Sequence, residues 1–218
     1  MKDYLSPERQ KAALLVNDAQ RDIINPGAPA TVSGSSAAAT QMRHLVEAFR
    51  AHHAPIIHMV RLYRCNGSNV DLPHRALIEA GQRIVMPGTL GAEVIEELKP
   101  TPGLRLQPDL LLDGKLQEIG PKEWICYKPR LSAFFQTPAE EHLKSLGIST
   151  IVICGTDFPA SPRSTVYAAA NRDFRLVLAT DAISGATDSG LDEMAQIGAY
   201  LMPTDQLLEW LPRNRAAA

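Results

Sequence analysis

Three side chains in this sequence could together move a proton and form a bond to carbon: the Asp18 carboxylate, the Lys128 ammonium and the Ser161 hydroxyl. Asp18 ends the apolar run Ala12-Ala13-Leu14-Leu15-Val16-Asn17, and Lys128 follows Trp124-Ile125-Cys126-Tyr127. Ser161 comes a short turn after Thr150-Ile151-Val152-Ile153-Cys154 and opens a helix pattern with Pro162 at its first turn. A carboxylate can accept a nucleophile's proton while a lysine offsets the charge that develops. The helix start at Ser161 adds unpaired N–H groups and a positive dipole end, both suited to an oxyanion. Taken singly, each residue has a plainer reading as turn residue, solvated cation or N-cap. The expectation rests on their conjunction at three strand ends, where open parallel sheets bind ligands.

The elements that must position them alternate. Strands are expected at 12–17, 55–60, 124–127, 150–154 and 174–179, each a short apolar run bounded by breakers. Amphipathic or capped helices are expected at 40–51, from Thr137-Pro138-Ala139-Glu140 to Gly147, at 161–171 and at 191–200. Residues 25–36 read as a loop, and 61–116, broken by glycine and proline, as short helices and loops. This order predicts an α/β fold, a three-layer Rossmann-like sandwich with a mainly parallel sheet, spanning residues 1–218 as a single domain. No Gly-x-Gly-x-x-Gly follows the first strand, so a dinucleotide site is disfavoured.

Composition narrows the function classes. The chain has 218 residues, 45% hydrophobic and 21% charged, with a formal net charge of −2 and no basic run, which argues against a nucleic-acid partner. Neither a secretion signal nor an apolar stretch of membrane-spanning length is found, so no membrane partner and a cytoplasmic location are expected. Cys65, Cys126 and Cys154 lack metal-ligand spacing and read as reduced thiols.

The motifs around the three residues resemble those of the isochorismatase-like cysteine hydrolases. Asp18-Ala19-Gln20-Arg21-Asp22 resembles that family's D-x-Q-x-D strand end, and Lys128-Pro129-Arg130-Leu131-Ser132-Ala133-Phe134 its lysine motif. Gly155-Thr156-Asp157-Phe158-Pro159-Ala160-Ser161-Pro162-Arg163 resembles its nucleophile loop, and Asp173 through Ala182 the next strand. The resemblance runs from about residue 10 to 203 and implies a cofactor-free amidase mechanism through an acyl-enzyme. It also implies an oxyanion hole from the backbone N–H groups of Asp157 and Ser161, a cis Thr156–Asp157 peptide, and a homo-oligomer.

Two departures qualify the resemblance. Serine occupies position 161, where the family carries cysteine, and a hydroxyl is far less acidic than a thiol. Three readings follow: a cysteine changed to serine to silence the enzyme and trap substrate; a natural serine with weak activity, or a binder on a hydrolase scaffold; and an efficient Ser–Lys–Asp hydrolase. Second, nicotinamidase-like relatives carry Asp-x-His metal ligands after the second strand, whereas this chain has Arg61-Leu62-Tyr63; no metal is expected. Arg61 and Tyr63 are expected to bind substrate, with Glu118 contributing a polar group and Phe134 and Phe158 apolar walls. Residues 61–72 and 117–121 further resemble a subgroup that includes streptothricin hydrolase-like enzymes, so the expected substrate is a small amide, lactam or carbamoyl compound. A vinyl ether cleaved by acid chemistry from Asp18, and a non-catalytic small-molecule binder, remain the alternatives.

Overall fold

The computed structural model describes residues 3–212. In chain order its elements are β1 (Ala12–Asn17), α1 (Arg21–Ile24), α2 (Ser35–Ala51), β2 (Ile56–Val60), α3 (Leu72–Glu79), α4 (Pro108–Leu112), β3 (Gln117–Gly120) and β4 (Glu123–Tyr127). They continue with α5 (Ala139–Ser145), β5 (Thr150–Gly155), α6 (Ser161–Ala170), β6 (Arg175–Ile183), α7 (Asp188–Gln196), β7 (Tyr200–Met202) and α8 (Thr204–Trp210). The strands form one seven-stranded sheet in the order β3-β4-β2-β1-β5-β6-β7, parallel throughout except for the antiparallel edge pair β3–β4. The α/β sandwich with a mainly parallel sheet is therefore as expected.

Every residue of β1, β2 and β5 is buried, as strands covered on both faces must be, which explains their near-continuous apolar sequences. Leu14, Val16, Ile56 and Val60 face a layer containing Met42, Leu45, Val46 and Phe49 of α2. Leu15, Ile57, Met59 and Ile153 face the layer built by Leu143 of α5, Val166 of α6 and Met194 of α7. Among the described residues no helix is long and apolar enough to cross a membrane.

Three elements depart from the sequence expectation. Helix α2 begins at Ser35 rather than residue 40, because the Ser36-Ala37-Ala38-Ala39 run, read as loop margin, is small but strongly helix-forming. Strands β3 and β7 are short edge strands, partly exposed and so without a continuous apolar run to mark them.

At the amino ends of β2 and β4, a buried polar cluster ties α2 to the sheet. Arg50 donates to both oxygens of Glu123 at 2.8 and 2.7 Å, and His58 Nε2 lies 2.7 Å from Glu123 Oε1. Burial alone would raise the Glu123 carboxyl, but its bonds with Arg50 and His58 outweigh that and bring it down to about 2. His58 is thus a core histidine serving a carboxylate.

Candidate active site

The carboxyl ends of β1, β2, β4 and β5 meet in one buried cluster. Asp18 follows β1 with φ +53, a left-handed conformation that costs a non-glycine residue about 1–3 kcal/mol. Its backbone is clamped there: the N–H donates to Met59 O at 2.9 Å, and the carbonyl accepts from Gln20 N–H at 2.8 Å and from Thr156 Oγ1 at 3.1 Å. Gln20 fixes the neighbouring strand end as well, donating to Arg61 O at 2.8 Å and accepting Arg61 N–H at 2.7 Å. On the other side of β1, Gly155 permits a close approach. Its φ is +129, and a Cβ there would lie 2.2 Å from Asn17 O.

These backbones bring the predicted residues together. Ser161 is the first residue of α6 and does not cap it; instead its hydroxyl donates a short hydrogen bond to Asp18 Oδ2. Ser161 Oγ in turn accepts from Lys128 Nζ at 2.9 Å and from Arg61 Nη2 at 3.2 Å. Lys128 Nζ also stands 2.9 Å from Asp18 Oδ2, and Arg61 Nε 3.5 Å from Asp18 Oδ1. Asp18, Lys128 and Ser161 are 3%, 1% and 1% exposed, so two cations flank the hydroxyl out of reach of screening by bulk water. Burial pushes the Lys128 ammonium down to about 8, against the opposing pull of Asp18.

Arg61 links this cluster to another. Its Nη1 donates to Tyr63 Oη at 2.9 Å and lies 3.2 Å from Asp71 Oδ2, while Tyr63 Oη donates to Asp71 Oδ1 at 2.7 Å. His74 Nδ1 lies 3.1 Å from both Asp71 oxygens. Burial would raise the Asp71 carboxyl, but His74, Arg61 and Tyr63 outweigh it and hold it well below the usual carboxylate range. Burial works against the charge on Arg61, and Asp18, Tyr63 and Asp71 more than restore it.

A cavity of about 110 Å³ opens onto these groups. Asp18, Arg61, Tyr63, His74, Thr156, Asp157 and Ser161 line its polar side, and Ile23, Val32, Ile84 and Val85 its apolar side. Among the described residues, the backbone N–H groups of Asp157 and Ser161 find no backbone acceptor. The neighbours offer no competing donors: residues 159 and 162 are prolines, and Phe158 N–H is committed to Ser184 O at 2.8 Å. Burial, helped by Asp18, raises the Asp157 carboxyl.

Three residues expected at the pocket do not line it. Glu118 is exposed on edge strand β3, because strand alternation points it outward opposite Trp124. Phe134 stacks on Phe174 with ring centroids 5.8 Å apart, under the Arg172 guanidinium. Phe158 turns away into the α7 layer, its ring filling the space above Gly190. The Thr156–Asp157 peptide is trans, the form a non-proline bond favours by roughly 3–4 kcal/mol. Asp71 and His74 were absent from the expected set, since a loop Asp and a helix His carry no spacing signal of their own. Gln20 and Asp22 were visible only as parts of a motif. The buried thiols Cys126 and Cys154 lie within the sheet, bonded to the carbonyls of Tyr127 and Leu15, and Cys65 is exposed. No group of three or more His, Cys, Asp or Glu side chains among the described residues is placed to hold a metal ion.

Comparison with known proteins adds a lineage to this geometry. A family model described as Isochorismatase domain matches residues 12–206. A probable inactive nicotinamidase of Arabidopsis thaliana is 29% identical over 208 residues, covering 92% of this chain and 95% of that protein. The ureidoacrylate amidohydrolase RutB of Methylorubrum extorquens is 28% identical over 128 residues, 59% of this chain and 44% of that protein. The crystal structure of an isochorismatase family protein from Desulfovibrio vulgaris superposes with a TM-score of 0.78 at 29% identity, over 93% of this chain and 99% of that one.

Proposed function

The chain belongs to the isochorismatase domain family, and from that membership we infer that its cavity is built to hydrolyse, without a cofactor, a C–N bond in a small amide, lactam or carbamoyl compound. The observation that carries the reading is the set of partners on Ser161 Oγ, which gives its proton to Asp18 and accepts from both Lys128 and Arg61. That is the arrangement a developing oxyanionic or thiolate nucleophile needs.

In this reading Asp18 takes the proton from residue 161, and the freed side chain attacks the substrate carbonyl. The carbonyl oxygen, now negative, rests against the N–H groups of Asp157 and Ser161. Collapse breaks the C–N bond, and the amine leaves with the proton held by Asp18. Water, deprotonated by Asp18, then releases the acyl group. Arg61 and Tyr63 meet the polar part of the substrate. A serine in this setting attacks more slowly than a cysteine, so the chain with Ser161 is an impaired form of the enzyme. The amidohydrolase name of the Methylorubrum relative supports the bond class.

The test is Ser161→Cys assayed on simple amides and carbamoyl compounds. A gain in kcat/KM of about 10-fold or more, worth about 1.4 kcal/mol of barrier, is expected. Failure of both the native chain and Ser161→Cys to hydrolyse any of them overturns the reading.

A further inference from the structure

The Asp-x-Gln-x-Asp run contains an acid that the hydrolytic cluster does not use. Asp22 lies in α1, and its Oδ2 accepts the backbone N–H of Val85 at 2.7 Å. Its own N–H donates to Gly91 O at 2.9 Å. A Cβ on Gly91 would come within 2.1 Å of the Asp22 carboxylate, so that carboxylate occupies space only a glycine leaves open. Val85 has φ +42, a left-handed conformation in which a β-branched residue is an outlier. Such strain persists only where the surroundings over-determine it. Here Val85 is held from both sides, by Asp22 at its N–H and by Tyr63 N–H, which donates to its carbonyl at 3.1 Å. The Val85 side chain is fully buried and lines the same cavity as Ser161 and Arg61.

We propose that Val85, held in this conformation by Asp22, sets the size limit of the substrate, which is a neutral amide carrying a short aliphatic group. This rests on the amide reading above. The cavity, at about 110 Å³, is well below the roughly 300–1,000 Å³ of sites for drug-sized ligands. Its apolar side suits a few methylenes. The Arg61 charge is already matched by Asp18 and Asp71, so no unpaired cation waits for an anionic substrate. Strain at Val85 is the means by which the chain keeps an isopropyl group pressed into the wall.

The experiment measures kcat/KM for acetamide through hexanamide in the Ser161→Cys protein, alone and combined with Val85→Gly. Glycine adopts the left-handed conformation freely and removes the side chain. The hexanamide-to-acetamide ratio is expected to rise at least about 10-fold, the usual worth of a methylene in a fitted pocket. Asp22→Ala and, as a second way of releasing the same contact, Gly91→Ala should move the ratio in the same direction. Asp22→Ala should have no further effect in the Val85→Gly background. An unchanged ratio in Val85→Gly overturns the proposal. If neither the unaltered chain nor Ser161→Cys hydrolyses any amide, the amide reading has failed separately, and the size limit is read from thermal stabilisation of the unaltered chain and of Val85→Gly by the same amides. A longer preferred chain in Val85→Gly then supports the proposal, and identical length dependence, or no stabilisation by any member, overturns it.

Discussion

One guanidinium touches both the Ser161 hydroxyl and the carboxylate to which that hydroxyl donates: Arg61 Nη2 lies 3.2 Å from Ser161 Oγ while Nε lies 3.5 Å from Asp18 Oδ1. The same group holds Asp71 with Nη1. Removing it takes one cation from each of two buried carboxylates, leaving Asp18 to Lys128 and Asp71 to Tyr63 and His74, at a cost of about 1–3 kcal/mol. Arg61→Gln should lower stability to urea by that amount. Arg61→Lys should recover less than half, since a single ammonium cannot reach three acceptors from one plane. Full recovery by lysine would contradict the forked geometry.

Lys128 makes stability depend on pH in the alkaline range. Its ammonium titrates at about 8 in the fold and at 10.5 when free, so between these values the unfolded chain binds more protons. Stability contributed by this group therefore rises with pH through that window, by at most about 1.4 kcal/mol per pH unit. The buried thiols oppose it, because burial raises both and the fold keeps protons that free thiols lose above pH 9. The comparison that isolates the lysine is native chain against Lys128→Met across pH 8 to 10.5. Parallel curves would mean that the buried ammonium is not depressed.

Glu123 acts at the other end of the scale. Its carboxyl titrates at about 2 in the fold against 4.5 when free, so its contribution is complete above 4.5 and is lost as pH falls through about 2. Glu123→Gln should flatten that acid limb and, by leaving the Arg50 guanidinium short of a counter-charge, cost about 3–5 kcal/mol at neutral pH. Acid titration of the unfolding free energy by circular dichroism checks both parts. An unaltered acid limb in Glu123→Gln would refute the assignment.

Gly155 is required by contact rather than by turn chemistry. A methyl group there meets the Asn17 carbonyl, which also accepts the Thr156 N–H at 3.0 Å, one residue before Asp18. Gly155→Ala should cost more than about 1 kcal/mol and depress activity further than that loss of stability explains. Thermal melts paired with single-turnover rates on folded protein separate the two effects.

The sheet and the three central residues were legible because burial and position leave marks in sequence. Strands β1, β2 and β5 are mostly apolar since both faces are covered, and Asp18, Lys128 and Ser161 follow apolar runs at predictable places. The pocket walls were not legible. Phe134 and Phe158 are aromatic whether they line a cavity or fill a core, and only the packing of Phe174 and Gly190 against them decides which. Glu118 is polar in either case. Asp71 and His74 are joined to Arg61 through a loop whose path no periodicity encodes. Asp22 reaches Val85 across a separation of 63 positions, a contact that is invisible until the chain is folded.

The sheet order has a consequence for how the chain acquires its chemistry. Strand β1, which ends at Asp18, is paired on one side with β2 and on the other with β5, at residues 150–155. As the chain emerges during synthesis, the β5-facing edge of this largely apolar strand stays open until residues 150–155 have been made. Ser161 arrives immediately after the strand that closes that edge, so Asp18, Lys128 and Ser161 cannot meet before β5 is in place, with β6 and β7 still to follow. Assembly of the cluster around Ser161 is thus a late event in folding, and ligand-dependent protection of this site would report a sheet already closed through β5.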